Sequence, residues 1–378
     1  MKILLAAGGT GGHFYPLVAV VRELRKIAES ERIVSLDIVL VADKPIDKNI
    51  LETEEIRYKI LPTGKMRRYR SFWNITDIFK TAIAVFRGLI LMYVEMPDVV
   101  FSKGGYAAFP MLFAARLYRI PVIIHESDSI PGKVNRWAAK FARRIAISFP
   151  DAAQFFPKDR TALTGNPVRT PLLGGNREES LTIFRLEGAT RTVLILGGSQ
   201  GAQIINEVLT VALPELVEEV QIIHQTGISN FDEVIKQSSV ILESSEHKNR
   251  YHPFAFLEED RLRSAAVAAD VVVSRAGASA IFEIAAWGLP SILIPLPGAV
   301  DAQGHQRENA YTYARAGACE VIEQINLTPH VLIGEIRRLL EPGGKRVRMI
   351  QAAQAFSRLD AAEKIAREIL NLGMHQGS

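Results

Sequence analysis

Two glycine-rich stretches directly follow apolar runs, and they are the part of the sequence best suited to bind a charged ligand. They read GGTGG at 8–12 and GGSQGA at 197–202. A glycine turn between a strand and a helix lets backbone N–H groups and the positive end of the helix approach an anion closely. Neither stretch keeps the G-x-G-x-x-G spacing of dinucleotide sites or ends as a Walker loop does. We therefore expect a phosphate or pyrophosphate site, with the alternative that tight turns simply favour glycine.

His13 comes directly after the first stretch and could act as a general base beside a bound phosphate donor. Pro16 is of a type favoured in the first turn of a helix. The helix is therefore expected to begin near Pro16, with His13 in the preceding loop. The alternative is a histidine that only caps or packs against that helix.

A third turn lies in SRAGASAIFEIAAWG at 274–288 and places Glu283 about one turn into a predicted helix. A carboxylate at that depth can accept two hydrogen bonds from ribose hydroxyls. The alternative is the ordinary placement of an acid near a helix start, which the helix dipole favours. The sequence contains no Asp-x-Asp and no H-x-H or H-E-x-x-H spacing. We therefore expect no metal site and no cofactor.

The elements that hold these turns alternate between short β-branched runs and stretches of helical period. Continuous apolar strands separated by helices are typical of a parallel sheet covered on both faces. The strand–glycine–helix pattern at the start of the chain repeats from residue 191 onward. The sequence thus predicts an α/β protein with two Rossmann-like, doubly wound domains that face a cleft. Their expected limits are 1–164 and 165–355, with 356–378 forming a last helix that packs back on the first domain.

Composition restricts the class of protein further. The chain has 378 residues, a formal charge of +4 and one cysteine, Cys319. A single cysteine excludes a disulfide framework, and a reducing, cytosolic setting without a secretory signal is expected. The small positive charge indicates a mild affinity for anions, with scattered surface lysine and arginine as the alternative explanation. No nucleic-acid partner is expected. The most apolar stretch is interrupted by Arg87 and Gly88, so no transmembrane helix is expected.

Seven motifs, in order along nearly the whole chain, resemble the bacterial UDP-N-acetylglucosamine transferases of peptidoglycan synthesis, the MurG family. They are GGTGGHFYP, KGGYAAFP, HESDSIPG, GNPVR, GGSQGA, RAGASAIFEIAAWGLPSILIPLP and HQRENA. The resemblance implies the GT-B fold. It also implies transfer of N-acetylglucosamine from UDP-N-acetylglucosamine to the muramyl 4-hydroxyl of lipid I, giving lipid II with inversion at the anomeric carbon.

The resemblance also assigns roles to particular residues. His13 would be the base for the acceptor hydroxyl, Arg169 and Ser199 would hold the diphosphate, and the backbone of Leu257 would bind uracil. Gln306 would contact the sugar hydroxyls. The residues that would line the cleft between donor and acceptor are Thr10, Gly11 and Gly12. The residues that would enclose the nucleotide, with Glu283 on the ribose, are Ala278, Ser279, Ala280, Ile281, Phe282 and Glu283.

Two positions depart from the family pattern. Asp128 stands where many relatives have asparagine, and contact with a substrate hydroxyl is more plausible for it than contact with phosphate. Gly304 stands where an aspartate commonly precedes the histidine.

Lipid I lies in the cytoplasmic leaflet, so docking on the cytoplasmic face of the bacterial inner membrane is expected for residues 64–89. In that interpretation one set of side chains would face anionic headgroups: Lys65, Arg67, Arg68, Arg70 and Lys80. A second set would insert shallowly: Met66, Phe72, Trp73, Ile75 and Phe79. The alternative is a basic loop and a helix packed on its own sheet.

Three other functions remain open from the sequence. They are a GT-B transferase with another acceptor, a UDP-sugar epimerase, and a nucleotide-sugar-binding protein that does not catalyse transfer.

Overall fold

The computed structural model describes residues 1–8, 11–33, 35–44, 47–64, 73–197, 202–298, 300–301 and 304–374, and only the backbone of 73–78. Within these residues the strands are β1 Lys2–Ala7, β2 Asp37–Ala42, β3 Arg57–Ile60, β4 Val99–Gly104, β5 Val122–Glu126, β6 Arg144–Ile147, β7 Thr161–Leu163, β8 Arg191–Leu196, β9 Val220–Gln225, β10 Tyr251–Phe254, β11 Val271–Ser274, β12 Ser291–Leu293 and β13 Cys319–Val321.

The helices in the same residues are α1 Gly11–Ser30, α2 Lys48–Thr53, α3 Trp73–Glu95, α4 Phe109–Leu117, α5 Lys133–Ala138, α6 Arg177–Phe184, α7 Gln203–Glu219, α8 Phe231–Ile241, α9 Glu259–Ala268, α10 Ala278–Trp287, α11 His305–Arg315, α12 Pro329–Leu340, α13 Gly344–Phe356 and α14 Ala361–Met374.

The chain divides into two compact units. Unit 1 contains Met1–Val168 together with Arg358–Ser378, and unit 2 contains Arg169–Ser357. Each unit has one sheet whose paired strands all run parallel. The predicted α/β class with two Rossmann-like domains is confirmed.

In unit 1 the strand order is β3-β2-β1-β4-β5-β6-β7. Its strands are nearly continuous runs of buried apolar residues because helices cover both faces. One apolar layer joins β1 to α1 and α14, so the last helix packs on α1 within this unit. The opposite layer joins the sheet to α4 and to the inner side of α3.

In unit 2 the order is β10-β9-β8-β11-β12-β13. The sheet packs against α7 and α12 in one large apolar cluster. The order β3-β2-β1-β4 of unit 1 is thus matched by β10-β9-β8-β11 in unit 2, in keeping with the repeat seen in the sequence.

The predicted start of the first helix is wrong. α1 begins at Gly11, so His13 lies in the first turn of the helix and Pro16 lies inside it. Inside a helix a proline lacks one N–H donor, and its ring crowds the carbonyl four residues earlier. Near the start of this 20-residue helix the remaining bonds and the buried apolar side offset that cost.

Candidate active site

In both units the topology reverses beside the first strand of the unit. The reversal lies between β1 and β4 in unit 1, and between β8 and β11 in unit 2. Loops that leave the carboxyl ends of the strands at such a point diverge, which opens a crevice for a ligand. His13 and Gly105 lie at this point in unit 1, and Arg275 and the start of α10 lie there in unit 2.

Two glycines make room for the imidazole of His13 in unit 1. A Cβ atom on Gly8 would lie 2.9 Å from His13 Nδ1, and one on Gly105 would lie 3.2 Å from His13 Cε1. Gly105 also has a φ of +82°, which other residues rarely adopt. The glycines of GGTGG and KGGY therefore serve the placement of a histidine as well as any ligand.

The surroundings of His13 keep its ring neutral. Burial and the nearby charge of Lys103 lower the pKa of His13 to about 4, although the carboxylates of Asp128 and Asp43 oppose this shift. A neutral imidazole has a free lone pair and can accept a proton. His13 is therefore in the state that a general base requires at neutral pH.

Lys103, which sequence reasoning did not single out, is the cation beside this histidine. Its side chain is fully buried, and Nζ lies 2.6 Å from Nδ1 of His125 and 2.8 Å from Oδ1 of Asn166. A lysine ammonium can only donate, so His125 accepts at Nδ1 and donates from Nε2 to the Gly165 carbonyl at 3.0 Å. Burial lowers the pKa of Lys103 to about 7, against the opposing charges of Glu126 and Asp128.

Asp128 belongs to a small acidic group that faces Lys103. The backbone N–H of Asp128 donates to Oε1 of Glu126 at 3.0 Å. The other oxygen of Glu126 accepts from the side chain of Asn135 at 2.9 Å. Burial, together with the charge of Asp128, raises the pKa of Glu126 to about 7. The departure from asparagine at 128 thus adds a negative charge where unit 1 carries a buried lysine.

In unit 2 the start of α10 offers a positive helix end without a side-chain cap. Gly277 occupies the cap position and has no side chain to cap the helix, and the first N–H groups of a helix point out of its positive end. Ser279, Ala280 and Glu283 are half-buried. The neighbouring side chains of Ala278, Ile281 and Phe282 face the core instead, so any contact of these three with a ligand would be through their backbone.

Arg169 and Glu283, to which the sequence gave separate roles, are bonded to each other. Arg169 donates from Nη2 at 2.8 Å and from Nε at 3.1 Å, both to Oε1 of Glu283. It also lies 3.5 Å from Glu259. Among the described residues, Oε2 of Glu283 accepts no hydrogen bond. The guanidinium thus fixes the carboxylate and leaves its second oxygen for a ligand.

Two further predicted residues, Leu257 and Gln306, each have one polar group that is hydrogen-bonded within the protein. The N–H of Leu257 donates to Oε1 of Gln225 at 2.9 Å, so the Leu257 carbonyl is its remaining backbone group. Oε1 of Gln306 accepts from the N–H of Leu296 at 3.2 Å, which leaves the amide nitrogen to donate. Asp301 accepts from the backbone N–H of Gln306 at 2.7 Å. Asp301 therefore supplies a carboxylate at the start of α11, where the sequence has Gly304 in place of the expected aspartate.

Two of the predicted residues lie outside the described part of the chain, and two others are glycines, which can contact a ligand only through their backbone. Thr10 and Ser199 lie outside the described residues, and Gly11 and Gly12 form the first turn of α1. Arg275, missed by sequence reasoning, follows β11 directly and donates to the carbonyl of Ile294 at 3.1 Å. Among the residues described, no group of three or more His, Cys, Asp or Glu side chains is placed to hold a metal ion.

The sequence matches two families of domain. Residues 3–147 match the glycosyltransferase family 28 N-terminal domain, and residues 192–365 match the glycosyltransferase family 28 C-terminal domain.

The relatives are similar over almost the whole chain. The UDP-N-acetylglucosamine--N-acetylmuramyl-(pentapeptide) pyrophosphoryl-undecaprenol N-acetylglucosamine transferase of Shouchella clausii is 35% identical, with 97% of this chain and 99% of that protein covered. The crystal structure of Acinetobacter baumannii MurG is 27% identical with a TM-score of 0.72, covering 98% of this chain and 99% of that one. A UDP-GlcNAc 2-epimerase from Neisseria meningitidis shares the fold at 15% identity and a TM-score of 0.69, with 98% of this chain and 100% of that one covered.

Proposed function

This chain is a member of glycosyltransferase family 28, and from that premise we propose that it transfers N-acetylglucosamine from UDP-N-acetylglucosamine to the muramyl 4-hydroxyl of lipid I. The product is lipid II, the disaccharide precursor of peptidoglycan. One observation carries the proposal. The neutral His13 lies where the strand order of unit 1 reverses, and Glu283, held by Arg169, lies where the strand order of unit 2 reverses. Inverting transfer needs a base for the acceptor and a firm hold on the nucleotide.

Unit 2 is the proposed donor-binding part. The positive end of α10 faces the negative diphosphate, and Ser199 adds a hydroxyl by resemblance to the family. Oε2 of Glu283 accepts from a ribose hydroxyl while Arg169 holds the other oxygen. Arg169 therefore acts through Glu283 as a positioning residue, rather than on the diphosphate as the resemblance alone implies.

Leu257 and Gln306 bind the uracil and the N-acetylglucosamine of the donor, each through the polar group that is not already hydrogen-bonded within the protein. The carbonyl of Leu257 accepts from the uracil N–H, because its own N–H is bonded to Gln225. The side-chain nitrogen of Gln306 donates to a hydroxyl of the N-acetylglucosamine, because its oxygen is bonded to Leu296.

Unit 1 is the proposed acceptor-binding part, and His13 is its base. The acceptor oxygen attacks the anomeric carbon of N-acetylglucosamine as the bond from that carbon to the diphosphate oxygen breaks. The proton of the acceptor hydroxyl passes to His13, and UDP leaves with the bonding electrons. The new glycosidic bond forms on the face opposite the departing UDP, so the configuration inverts. The positive end of α10 stabilises the charge that develops on the leaving diphosphate.

We also propose that α3 brings unit 1 to the cytoplasmic face of the membrane. Five side chains form its apolar face, each at least 50% exposed: Phe79, Ile83, Phe86, Ile90 and Tyr93. The opposite side of the helix is buried, with Ala84 and Met92 in the core and Gly88 against Pro110. So large an exposed apolar face is typical of a site that binds a membrane or a protein.

Some residues expected to dock lie outside the described side chains. These are Lys65, Met66, Arg67, Arg68, Arg70, Phe72, Trp73 and Ile75. Lys80 and Arg87 are exposed on α3 and supply positive charge beside its apolar face. No helix in the described ranges has the length and apolar character needed to cross a bilayer.

Transfer of labelled N-acetylglucosamine from its UDP donor to a lipid I analogue tests the function. A labelled disaccharide lipid is expected. Conversion of the donor to another UDP-sugar, with none of it transferred to the lipid I analogue, would favour an epimerase. UDP binding with no turnover would favour a non-catalytic binding protein. Either result with this acceptor present overturns the proposal.

A further inference from the structure

Asp43 lies at the carboxyl end of β2 in unit 1 and has one oxygen occupied and one open. Oη of Tyr106 donates to Oδ2 of Asp43 at 2.6 Å. Oδ1 is buried and, among the described residues, accepts no hydrogen bond. A buried carboxylate oxygen without a donor carries a desolvation penalty, so such an atom points to a missing partner.

Two hydroxyl groups near the same edge of the sheet are also without partners. Oη of Tyr58, on β3, and Oγ1 of Thr63, just after β3, are buried and form no hydrogen bond within the described part of the chain. Burial and the charge of Asp43 raise the pKa of Tyr58 to about 12, so the phenol keeps its proton and stays a donor. The edge thus combines an open acceptor oxygen with hydroxyls that can donate or accept.

The position of these groups associates them with the acceptor rather than with the donor. Tyr58 lines a small cavity together with Gly8 and Phe14, which adjoin His13. The charge of Asp43 also acts on His13 itself. A ligand on Asp43 would therefore lie beside the group that takes the acceptor proton.

The charge of Asp43 limits the chemistry of that ligand. A carboxylate repels phosphate or another carboxylate, whereas it accepts strongly from hydroxyl and amide N–H groups. The neighbouring Lys44 also lines the cavity beside Tyr58, but it is exposed to solvent. The group bound there is accordingly a hydrogen-bond donor that carries no negative charge.

We propose that Asp43, with Tyr58 and Tyr106, forms a subsite that binds a hydroxyl or amide N–H group of the glycopeptide acceptor. Asp43 is then a specificity residue for the acceptor, with one oxygen oriented by Tyr106 and the other accepting from the substrate. This rests on the proposed function, which places the acceptor in unit 1.

The test is D43N assayed with a lipid I analogue at pH 8, where His13 is neutral in either form. Asparagine keeps the shape and can still accept from Tyr106, but it lacks the charge that strengthens the bond to the substrate. We expect KM for the acceptor to rise roughly tenfold, with KM for UDP-N-acetylglucosamine changed less than twofold. An indirect effect through His13 would instead move kcat and the pH profile.

D47N is the matched control, because the side chain of Asp47 caps α2 by accepting from the N–H of Ile50, and asparagine caps a helix equally well. If D43N does not fold, KM for the acceptor is measured with Y58F instead, and a smaller rise is expected for that variant. An unchanged acceptor KM in folded D43N, or in Y58F should D43N fail to fold, overturns the subsite. Absence of transfer by the unaltered protein would instead count against the proposed function, so the two failures are distinguishable.

Discussion

Arg169 donates two hydrogen bonds to the same oxygen of Glu283, although 114 residues separate them in the chain. Both side chains are largely buried, at 8% and 13% exposed. Two N–H groups of one guanidinium converge on this oxygen, and such charge-assisted hydrogen bonds hold it in place. The open oxygen of Glu283 is therefore positioned in advance for a ligand.

E283Q should weaken the binding of UDP by roughly tenfold to a hundredfold. The amide loses a charged acceptor for the ribose hydroxyls, and hydrogen bonds to charged groups contribute about 1.5–3 kcal/mol. Calorimetry with UDP and with 2′,3′-dideoxy-UDP measures this directly. The unaltered protein should prefer UDP, and the variant should discriminate much less.

The control for E283Q is E335Q, since Glu335 lies on α12 and pairs with Arg338 on the same helix. The E335Q variant should bind both nucleotides as tightly as the unaltered protein does. Equal discrimination by E283Q and the unaltered protein would remove Glu283 from the ribose.

The rate of transfer should stay high at a lower pH than it would with a histidine base of ordinary pKa. The pKa of His13 is lowered from 6.5 to about 4, so the ring stays neutral as the pH falls through 6.5. In a profile of kcat/KM against pH, the acid limb should therefore fall below about pH 5. An acid limb centred near 6.5 would contradict the environment described for His13.

Lys103 and Asp128 should move that acid limb in opposite directions. The charge of Lys103 lowers the pKa of His13 and the charge of Asp128 raises it. K103M should therefore shift the limb to higher pH, and D128N should shift it to lower pH. Comparing the two profiles separates this electrostatic effect from general damage, which would lower activity in both variants without opposite shifts.

The burial of Lys103 should also make the free energy of unfolding depend on pH. Its pKa is about 7 when folded and near 10.5 when unfolded, so the unfolded chain binds more protons between these values. The contribution of Lys103 to the free energy of unfolding should accordingly improve as the pH rises from 7 to 10. Denaturant unfolding of the unaltered protein and of K103M across this range measures it. A difference between them that does not change with pH would show that the lysine titrates normally.

Docking through α3 predicts that polar substitutions on its apolar face release the protein from vesicles. Each large apolar side chain transferred from water contributes about 1.5–3 kcal/mol when fully buried. I83S combined with F86S should lower binding to vesicles containing anionic lipid by tenfold or more, as measured by sedimentation. Charge reversal of Arg67, Arg68 and Arg70 to glutamate should weaken it further at low salt.

The matched control for this surface is V211S combined with V240S, because both valines are equally exposed but belong to unit 2. That variant should bind vesicles normally. Unchanged binding by the α3 variant would show that its apolar face does not dock.

The sheets could be predicted from sequence because buried parallel strands are continuous apolar runs, as in β1 and β8. The short strand β3, Arg57–Ile60, carries two charged residues at the edge of its sheet and gave no such signal. The apolar pattern of α3 predicted a helix, but periodicity could not tell which side is buried. That was decided by α4, which packs against only one side of it.

At the site, residue types predicted His13 and Glu283, but pairings between distant segments could not be inferred. A lysine at the end of a strand is normally taken as exposed. Lys103 is buried because His125 and Asn166, 22 and 63 residues further along, both bond to it. The pairing of Arg169 with Glu283 was hidden for the same reason, and it changes the role expected for the arginine.

The most direct test of the proposed mechanism is H13A, with turnover and UDP affinity measured on the same preparation. Removal of a general base should reduce kcat for transfer to a lipid I analogue by roughly a hundredfold or more. The Kd for UDP should stay within twofold, because the proposed nucleotide site lies in unit 2 and His13 lies in unit 1. Near-normal turnover in H13A would contradict the role of His13 and with it the proposed mechanism.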